Sequence, residues 1–322
     1  MWLSLLALIV GFAALIWSAD KFLSGAGATA TNLGVSKMVI GLTIVSVGTS
    51  APEILVAMAA SIRGNPLLAV GNAVGSNIAN IGLVLGVTAI VAPLPFSKRV
   101  RRSELPWLLG ATLLALALMF DQQLSPLDGL LLLAGLALIL YLLMFGKSHG
   151  QPEFAESIQE EIDELPQMGT LRGVAWLLGG LALLVASAEL LVWAAHNVAT
   201  HLGVSDLIIG LTVVAIGTSL PELAASVGAA IKGHTDIAIG NVVGSNILNI
   251  LAVLAVPSFM AATEIERVAF WRDGGAMLAL TLLLALFAYA VNSRSVITRF
   301  EGAVMLLCWV GYNSLLVRHA AA

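Results

Sequence analysis

One order of residues occurs at two places in this chain, as Gly48-Thr49-Ser50-Ala51-Pro52-Glu53 and Gly217-Thr218-Ser219-Leu220-Pro221-Glu222, each inside an apolar stretch. An ionisable side chain at membrane depth is costly and marks a functional partner. Proline lacks an N–H and clashes with the carbonyl one turn earlier, here that of Gly48 or Gly217, so carbonyls at this point become free to act as ligands. Thr49 and Glu53 are four apart and Ser46 lies seven before Glu53, which puts all three on one helical face. Thr218 and Glu222 repeat the pattern, with Ala215 in the place of Ser46. Facing each other, the copies supply two carboxylates, four hydroxyls and several carbonyls. Such an all-oxygen cage suits a hard cation, either Ca²⁺, which takes about six to eight oxygens, or Na⁺. No His or Cys accompanies the motifs, which disfavours transition metals.

A second motif is also duplicated, as Gly71-Asn72-Ala73-Val74-Gly75-Ser76-Asn77-Ile78-Ala79-Asn80 and Gly240-Asn241-Val242-Val243-Gly244-Ser245-Asn246-Ile247-Leu248-Asn249. Glycines four apart let helices approach closely. Asn72, Ser76 and Asn80, spaced by four, put two amides and a hydroxyl on one face that can line a path.

Both motifs need elements that hold them at membrane depth, and the composition provides for that. Hydrophobic residues make up 59% of the chain and charged residues 11%, with a mean hydropathy of +0.98. A soluble domain needs more polar surface, so the chain reads as an integral, all-α membrane protein. Ten apolar spans are predicted at about 2–31, 36–62, 66–92, 104–120, 126–146, 171–199, 205–231, 235–261, 270–291 and 297–317. The first lacks a basic n-region and carries Asp20 and Lys21, so it reads as a helix rather than a cleaved signal. The single cysteine, Cys308, excludes a disulfide framework and reads as a small packing residue of the last span.

A shift of 169 positions lays one half on the other, and 21 of 40 residues from 41 to 80 are identical to those from 210 to 249. That density means duplication. The match extends outward to Leu33-Gly34-Val35-Ser36 on Leu202-Gly203-Val204-Ser205, and to Asp20 on Glu189. Five spans per unit is an odd number, so the repeats are inverted about a pseudo-two-fold axis in the membrane plane. The expected organisation is a first five-helix repeat over 1–146, an acidic cytoplasmic linker over 147–170 and a second repeat over 171–322, together one membrane domain.

Lys and Arg in the short loops set the orientation. With the N-terminus outside, the cytoplasmic face receives ten of them (Lys37, Lys98, Arg99, Arg101, Arg102, Lys147, Arg172, Lys232, Arg294 and Arg299) and the outside four, Arg63, Arg267, Arg272 and Arg318. Both termini are therefore expected outside. Glu153, Glu156, Glu160, Glu161, Asp163 and Glu164 in the linker read as a solvated acidic run; a regulatory calcium site there would lack the Gly-containing spacing of an EF-hand loop. His149, His196, His201, His234 and His319 fall at or near loops and span ends and read as interfacial polar residues.

These paired motifs resemble the two alpha repeats of the calcium/cation antiporter superfamily, specifically the bacterial and archaeal sodium/calcium exchangers, and the resemblance covers essentially the whole chain. It implies ten helices, with the second, third, seventh and eighth around the ions and the first and sixth sliding as a gating pair. It implies that Glu53 and Glu222 bind calcium, helped by the backbone carbonyls of Thr49 and Thr218. Sodium sites would use Ser46, Thr49, Ser50, Glu53, Ser76, Ala215, Thr218, Ser219, Glu222 and Ser245, with Asn80 and Asn249 as the central polar pair, for water or a proton. Some relatives carry Asp at the place of Asn249, an acid associated with potassium in the potassium-requiring branch, so Asn there argues against potassium dependence. The resemblance also implies a bacterial or archaeal cell (inner) membrane, no cofactor beyond the transported ions Ca²⁺ and Na⁺, no nucleic acid partner, and a monomer able to function alone in the lipid bilayer.

The expected function is therefore sodium/calcium antiport. Two carboxylates in a low-dielectric site are intolerable when empty, so the bundle should switch faces only when Ca²⁺ or at least two Na⁺ neutralise them. A proton-driven cation exchanger is the alternative, since protonation also neutralises Glu53 and Glu222. A passive channel has no need of two inverted half-sites. An intramembrane enzyme lacks an Asp dyad or a His pair in the spans.

Overall fold

The computed structural model describes residues 1–35, 48, 50–145, 166–233, 235–260, 263–289 and 295–321. The helices in chain order are α1 (Trp2–Asn32), α2 (Ala51–Ile62), α3 (Pro66–Val91), α4 (Val100–Asp121), α5 (Pro126–Phe145), α6 (Thr170–Leu202), α7 (Asp206–Lys232), α8 (Ala238–Ser258), α9 (Arg267–Tyr289) and α10 (Arg299–Ala321). Among the described residues eight are long and apolar enough to cross a membrane, while α2 and α5 carry shorter apolar runs. Only the second part of the predicted 36–62 span is described as a continuous helix; Ser46 and Thr49 lie outside the described residues, as do 147–165 of the linker, His149 and His234.

Packing of the first helix of each half fixes how the halves are related. α1 and α6 lie against each other along a seam of small residues, where Gly11 meets Leu191, Phe22 meets Gly180 and Gly25 meets Gly173. As the number rises on one helix it falls on the other, so the two run antiparallel. The ten helices form two inverted five-helix repeats.

Two short antiparallel clasps join the repeats at opposite ends of the bundle. β1 (Leu94–Pro95) pairs with β4 (Val296–Ile297), Leu94 opposite Ile297, and β2 (Gln123–Leu124) pairs with β3 (Thr263–Glu264), Leu124 opposite Thr263. The clasps exchange under the pseudo-two-fold. The helix that follows β2 and the one that follows β4 start alike. Just before α5 the Ser125 N–H donates to Asp128 Oδ2 at 2.7 Å, and just before α10 the Thr298 N–H donates to Glu301 Oε2 at 2.6 Å. Both are capping boxes that satisfy first-turn N–H groups.

The centre of the bundle is read from burial. α3 and α8 are 78% and 72% buried, against 28% for α6 and α10, so the Gly-Asn-x-x-Gly-Ser-Asn helices form the core. A Cβ on Gly71 would lie 2.5 Å from the Leu207 carbonyl oxygen and 3.0 Å from Gly210 Cα, which shows how closely α3 crosses the start of α7. Cys308 is exposed on α10, not packed as expected, because α10 is a peripheral helix whose outer face meets lipid. α4 begins at Val100 rather than at 104, since Arg101 and Arg102 enter a π-helical first turn and Arg101 Nη1 donates to Ser295 Oγ at 2.8 Å.

Candidate functional site

The two Thr-Ser-x-Pro-Glu segments break their helices at the same place. Ser50 (φ −93°, ψ 7°) and Ser219 (φ −85°, ψ 0°) each leave helical geometry just before a new first turn that contains the proline. Pro52 and Pro221 cannot donate to the carbonyls of Gly48 and Gly217. From α1, Phe12 packs on Gly217 and Leu23 on Gly48, so a single helix covers both breaks. The new helices α2 and the second part of α7 carry Glu53 and Glu222 in their first turns, where the positive end of the helix dipole favours negative charge.

Both carboxylates are buried, Glu53 at 0% and Glu222 at 1% exposure. They lie close enough to feel each other's charge, and Glu53 faces the Thr218 hydroxyl, while Glu222 faces that of Ser245. None of their four carboxylate oxygens makes a hydrogen bond among the described residues, and the same holds for the hydroxyls of Ser50, Ser219 and Ser245, Asn80 Oδ1, and both amide atoms of Asn249. Buried polar atoms are nearly always paired, so this concentration of unpaired oxygens at one place calls for a ligand.

Of the remaining predicted residues, those that are described lie in the buried core as well, while Ser46 and Thr49 fall outside the described residues. Ser76 Oγ lies 3.3 Å from Thr218 Oγ1, and Thr218 Oγ1 donates to Asn72 Oδ1 at 3.2 Å. Ala215 is buried, and its carbonyl accepts from the Ser219 N–H at 3.1 Å. Asn80 and Asn249 open π-helical stretches at equivalent places, Asn80–Leu85 and Asn249–Val253. π-Bulges concentrate at functional sites because they free backbone groups and shift side chains. Among the described residues no group of three or more His, Cys, Asp or Glu that could hold a metal ion exists.

Three residues of this cluster were not singled out as site residues by the sequence. Asn72 donates to the Glu53 backbone carbonyl at 3.3 Å while holding Thr218, and so ties α3 to both broken helices. Asn77 and Asn246 are buried between α3 and α8. Their signal was their duplication within the second motif.

The family described as sodium/calcium exchanger protein matches residues 3–145 and again 172–318. The chain belongs to the sodium/calcium exchanger family. It is 46% identical to CaxA of Alkalimonas amylolytica over 96% of this chain and 97% of that one, and 32% identical to the sodium/calcium exchanger MaX1 of Methanosarcina acetivorans over 97% of each. A solved structure of the sodium-calcium exchanger NCX_Mj, soaked with Na⁺ and Sr²⁺, is similar with a TM-score of 0.65 and 32% identity, covering 97% of this chain and 98% of that one. As a member of the sodium/calcium exchanger family this chain is a multi-pass membrane transporter, a cation/calcium antiporter, and the family match falls separately on each of its halves.

Proposed function

We propose that this antiporter exchanges sodium for calcium at the Glu53–Glu222 site by alternating access. The observation that carries the reading is the pair of buried carboxylates, given by opposite repeats and without hydrogen-bond partners among the described residues. Calcium is held by both carboxylates with the backbone carbonyls of Thr49 and Thr218. Sodium ions take the flanking oxygens of Ser46, Ser50, Ser76, Ala215, Ser219 and Ser245 in addition to those groups. Asn80 and Asn249 serve the centre with amide dipoles that add no charge. Ca²⁺ and Na⁺ are cargo, and no cofactor takes part.

Coupling follows from electrostatics. Two negative charges in a dry site repel each other and lack solvation, so the empty site resists the passage between facing states. One Ca²⁺ or at least two Na⁺ remove the penalty, and the crossing then requires one load or the other. Loading with more than two Na⁺ makes the cycle electrogenic. The protein sits in the cell (inner) membrane with both termini outside, as the basic loops direct. It works as a monomer, and the acidic linker lies in the cytoplasm.

The test is ⁴⁵Ca uptake into proteoliposomes under imposed sodium, potassium or proton gradients. Uptake driven by the sodium gradient supports the reading. Uptake driven by protons and indifferent to sodium replaces it with proton-coupled exchange, and uptake that needs no counter-ion replaces it with a channel.

A further inference from the structure

The amide network between α3 and α8 is lopsided in a way that the repeat is not. Asn80 Nδ2 donates to Asn246 Oδ1 at 3.0 Å, Asn246 Nδ2 donates to the Asn77 carbonyl oxygen at 3.3 Å, and Asn77 Nδ2 donates to the Ala73 carbonyl oxygen at 2.8 Å within its own helix. A backbone carbonyl only accepts, so each asparagine's NH₂ is fixed by its partner and Asn246 Oδ1 is an acceptor without ambiguity. The repeat relates Asn80 to Asn249 and Asn246 to Asn77. The mirror of the bond made here runs from Asn249 Nδ2 to Asn77 Oδ1. Both of those atoms are buried and find no hydrogen-bond partner among the described residues.

The two bonds share no atom, so what keeps the second from forming is that its open donor and acceptor lie out of hydrogen-bonding reach of each other in this conformation. In the conformation that makes the mirror bond, the repeat symmetry pairs Asn77 Nδ2 with the Asn246 carbonyl and Asn246 Nδ2 with the Val242 carbonyl, the position matching Ala73. We propose that Asn77 and Asn246 are positioning residues that alternate as the bridge between the two repeats. Asn246 holds the conformation described here, and Asn77 holds its mirror, open to the other side of the membrane. Each acts through the hydrogen bond it accepts from Asn80 or Asn249 and contacts no transported ion. The proposal rests on the alternating-access reading of the same site.

The experiment compares Asn77→Ala, Asn246→Ala and the double variant in nanodiscs with sodium as the added ion. Hydrogen–deuterium exchange is followed in peptides at the α2–α3 turn and at the α7–α8 turn, which lie at opposite ends of the core. One net hydrogen bond corresponds to about a fivefold change in the ratio of two states. Asn246→Ala should move the ratio of exchange at the two ends about fivefold in one direction, Asn77→Ala about fivefold in the other, and the double variant should return close to the parent. Shifts in the same direction, or no shift in either variant, overturn the proposal. A merely structural role would loosen both ends together. If an alanine variant does not fold, Asn77→Ser and Asn246→Ser undergo the same measurement under the same criteria. In oriented vesicles the calcium KM values at the two faces should move reciprocally as well. Absence of sodium-driven uptake by the parent would defeat the functional reading instead, and the exchange ratio would still decide the asparagine proposal.

Discussion

Arg63 Nε, in the turn between α2 and α3, donates to Glu189 Oε2 of α6 at 2.6 Å. The repeat places Lys232 and Asp20 at the equivalent positions, and here Asp20 Oδ2 accepts from Lys21 Nζ at 2.7 Å. The ion pair joins the turn between α2 and α3 to one member of the α1–α6 pair. Its side chains are 39% and 36% exposed, so its contribution is small, at most about 1 kcal/mol. We predict that Glu189→Gln and Arg63→Gln each lower the midpoint of thermal unfolding by only a few degrees, at roughly 2–4 °C per kcal/mol for a chain of this size. The double variant should be no worse than either single one. Additive losses in that cycle would show that the two side chains act independently.

Glu53→Gln and Glu222→Gln retain size and hydrogen-bonding capacity but cannot neutralise a dication. Loss of one charged partner from a desolvated contact costs about 3 kcal/mol, so calcium transport should fall by about a hundredfold or more in each. Size-exclusion profiles and helical content should match those of the parent. Near-normal ⁴⁵Ca uptake by either variant would remove that glutamate from the site.

The crossing of α3 over α7 admits no side chain at Gly71, because a Cβ there meets backbone atoms of Leu207, Gly210 and Leu211. Gly71→Ala is expected to cost about 1–3 kcal/mol by overpacking, whereas Gly110→Ala, where nothing lies within 4 Å, should be neutral or stabilising by up to about 1 kcal/mol through helix propensity. Thermal unfolding in one detergent compares the two directly. A tolerated Gly71→Ala would mean that the helices do not touch at this point.

A buried acid also sits in a π-helical stretch near the start of α4, Val100–Glu104, and of α9, Phe270–Gly274. Glu104 Oε1 lies 2.7 Å from Arg99 Nε, and Asp273 takes a bidentate bond from Arg272 at 2.6 and 2.9 Å plus the Tyr312 hydroxyl at 2.9 Å. Asp273→Asn leaves the partly buried Arg272 uncompensated and should cost about 3 kcal/mol, while Tyr312→Phe should cost about 1 kcal/mol. Neither should change the sodium dependence of whatever calcium uptake remains. An altered ion preference would bring this acid into the transport path.

That Glu53, Glu222, Asn80 and Asn249 lie buried in the bundle was legible in the sequence, because duplication sets the same polar residues in two distant apolar segments and the odd number of spans in each repeat then dictates their opposed orientation. Span positions followed from apolar length alone, and α3 and α7 fall within a residue of their expected bounds. Glu104 and Asp273 escaped notice for a physical reason: an acid near the edge of a span reads as interfacial, and only the fold buries Glu104 against Arg99 and brings Tyr312 of α10 onto Asp273 beside Arg272. The alternation of Asn77 and Asn246 was equally hidden. Spacing tells which residues share a face, but not which of two equivalent amides is engaged across a helix pair.

The strand clasps carry a mechanical consequence. With Leu94 held to Ile297 at one rim and Leu124 to Thr263 at the other, the halves are hooped together top and bottom and cannot splay like the covers of a book. α1 and α6, which are little buried and touch along a glycine-lined groove, carry neither clasp, so the hoops leave this pair outside their grip.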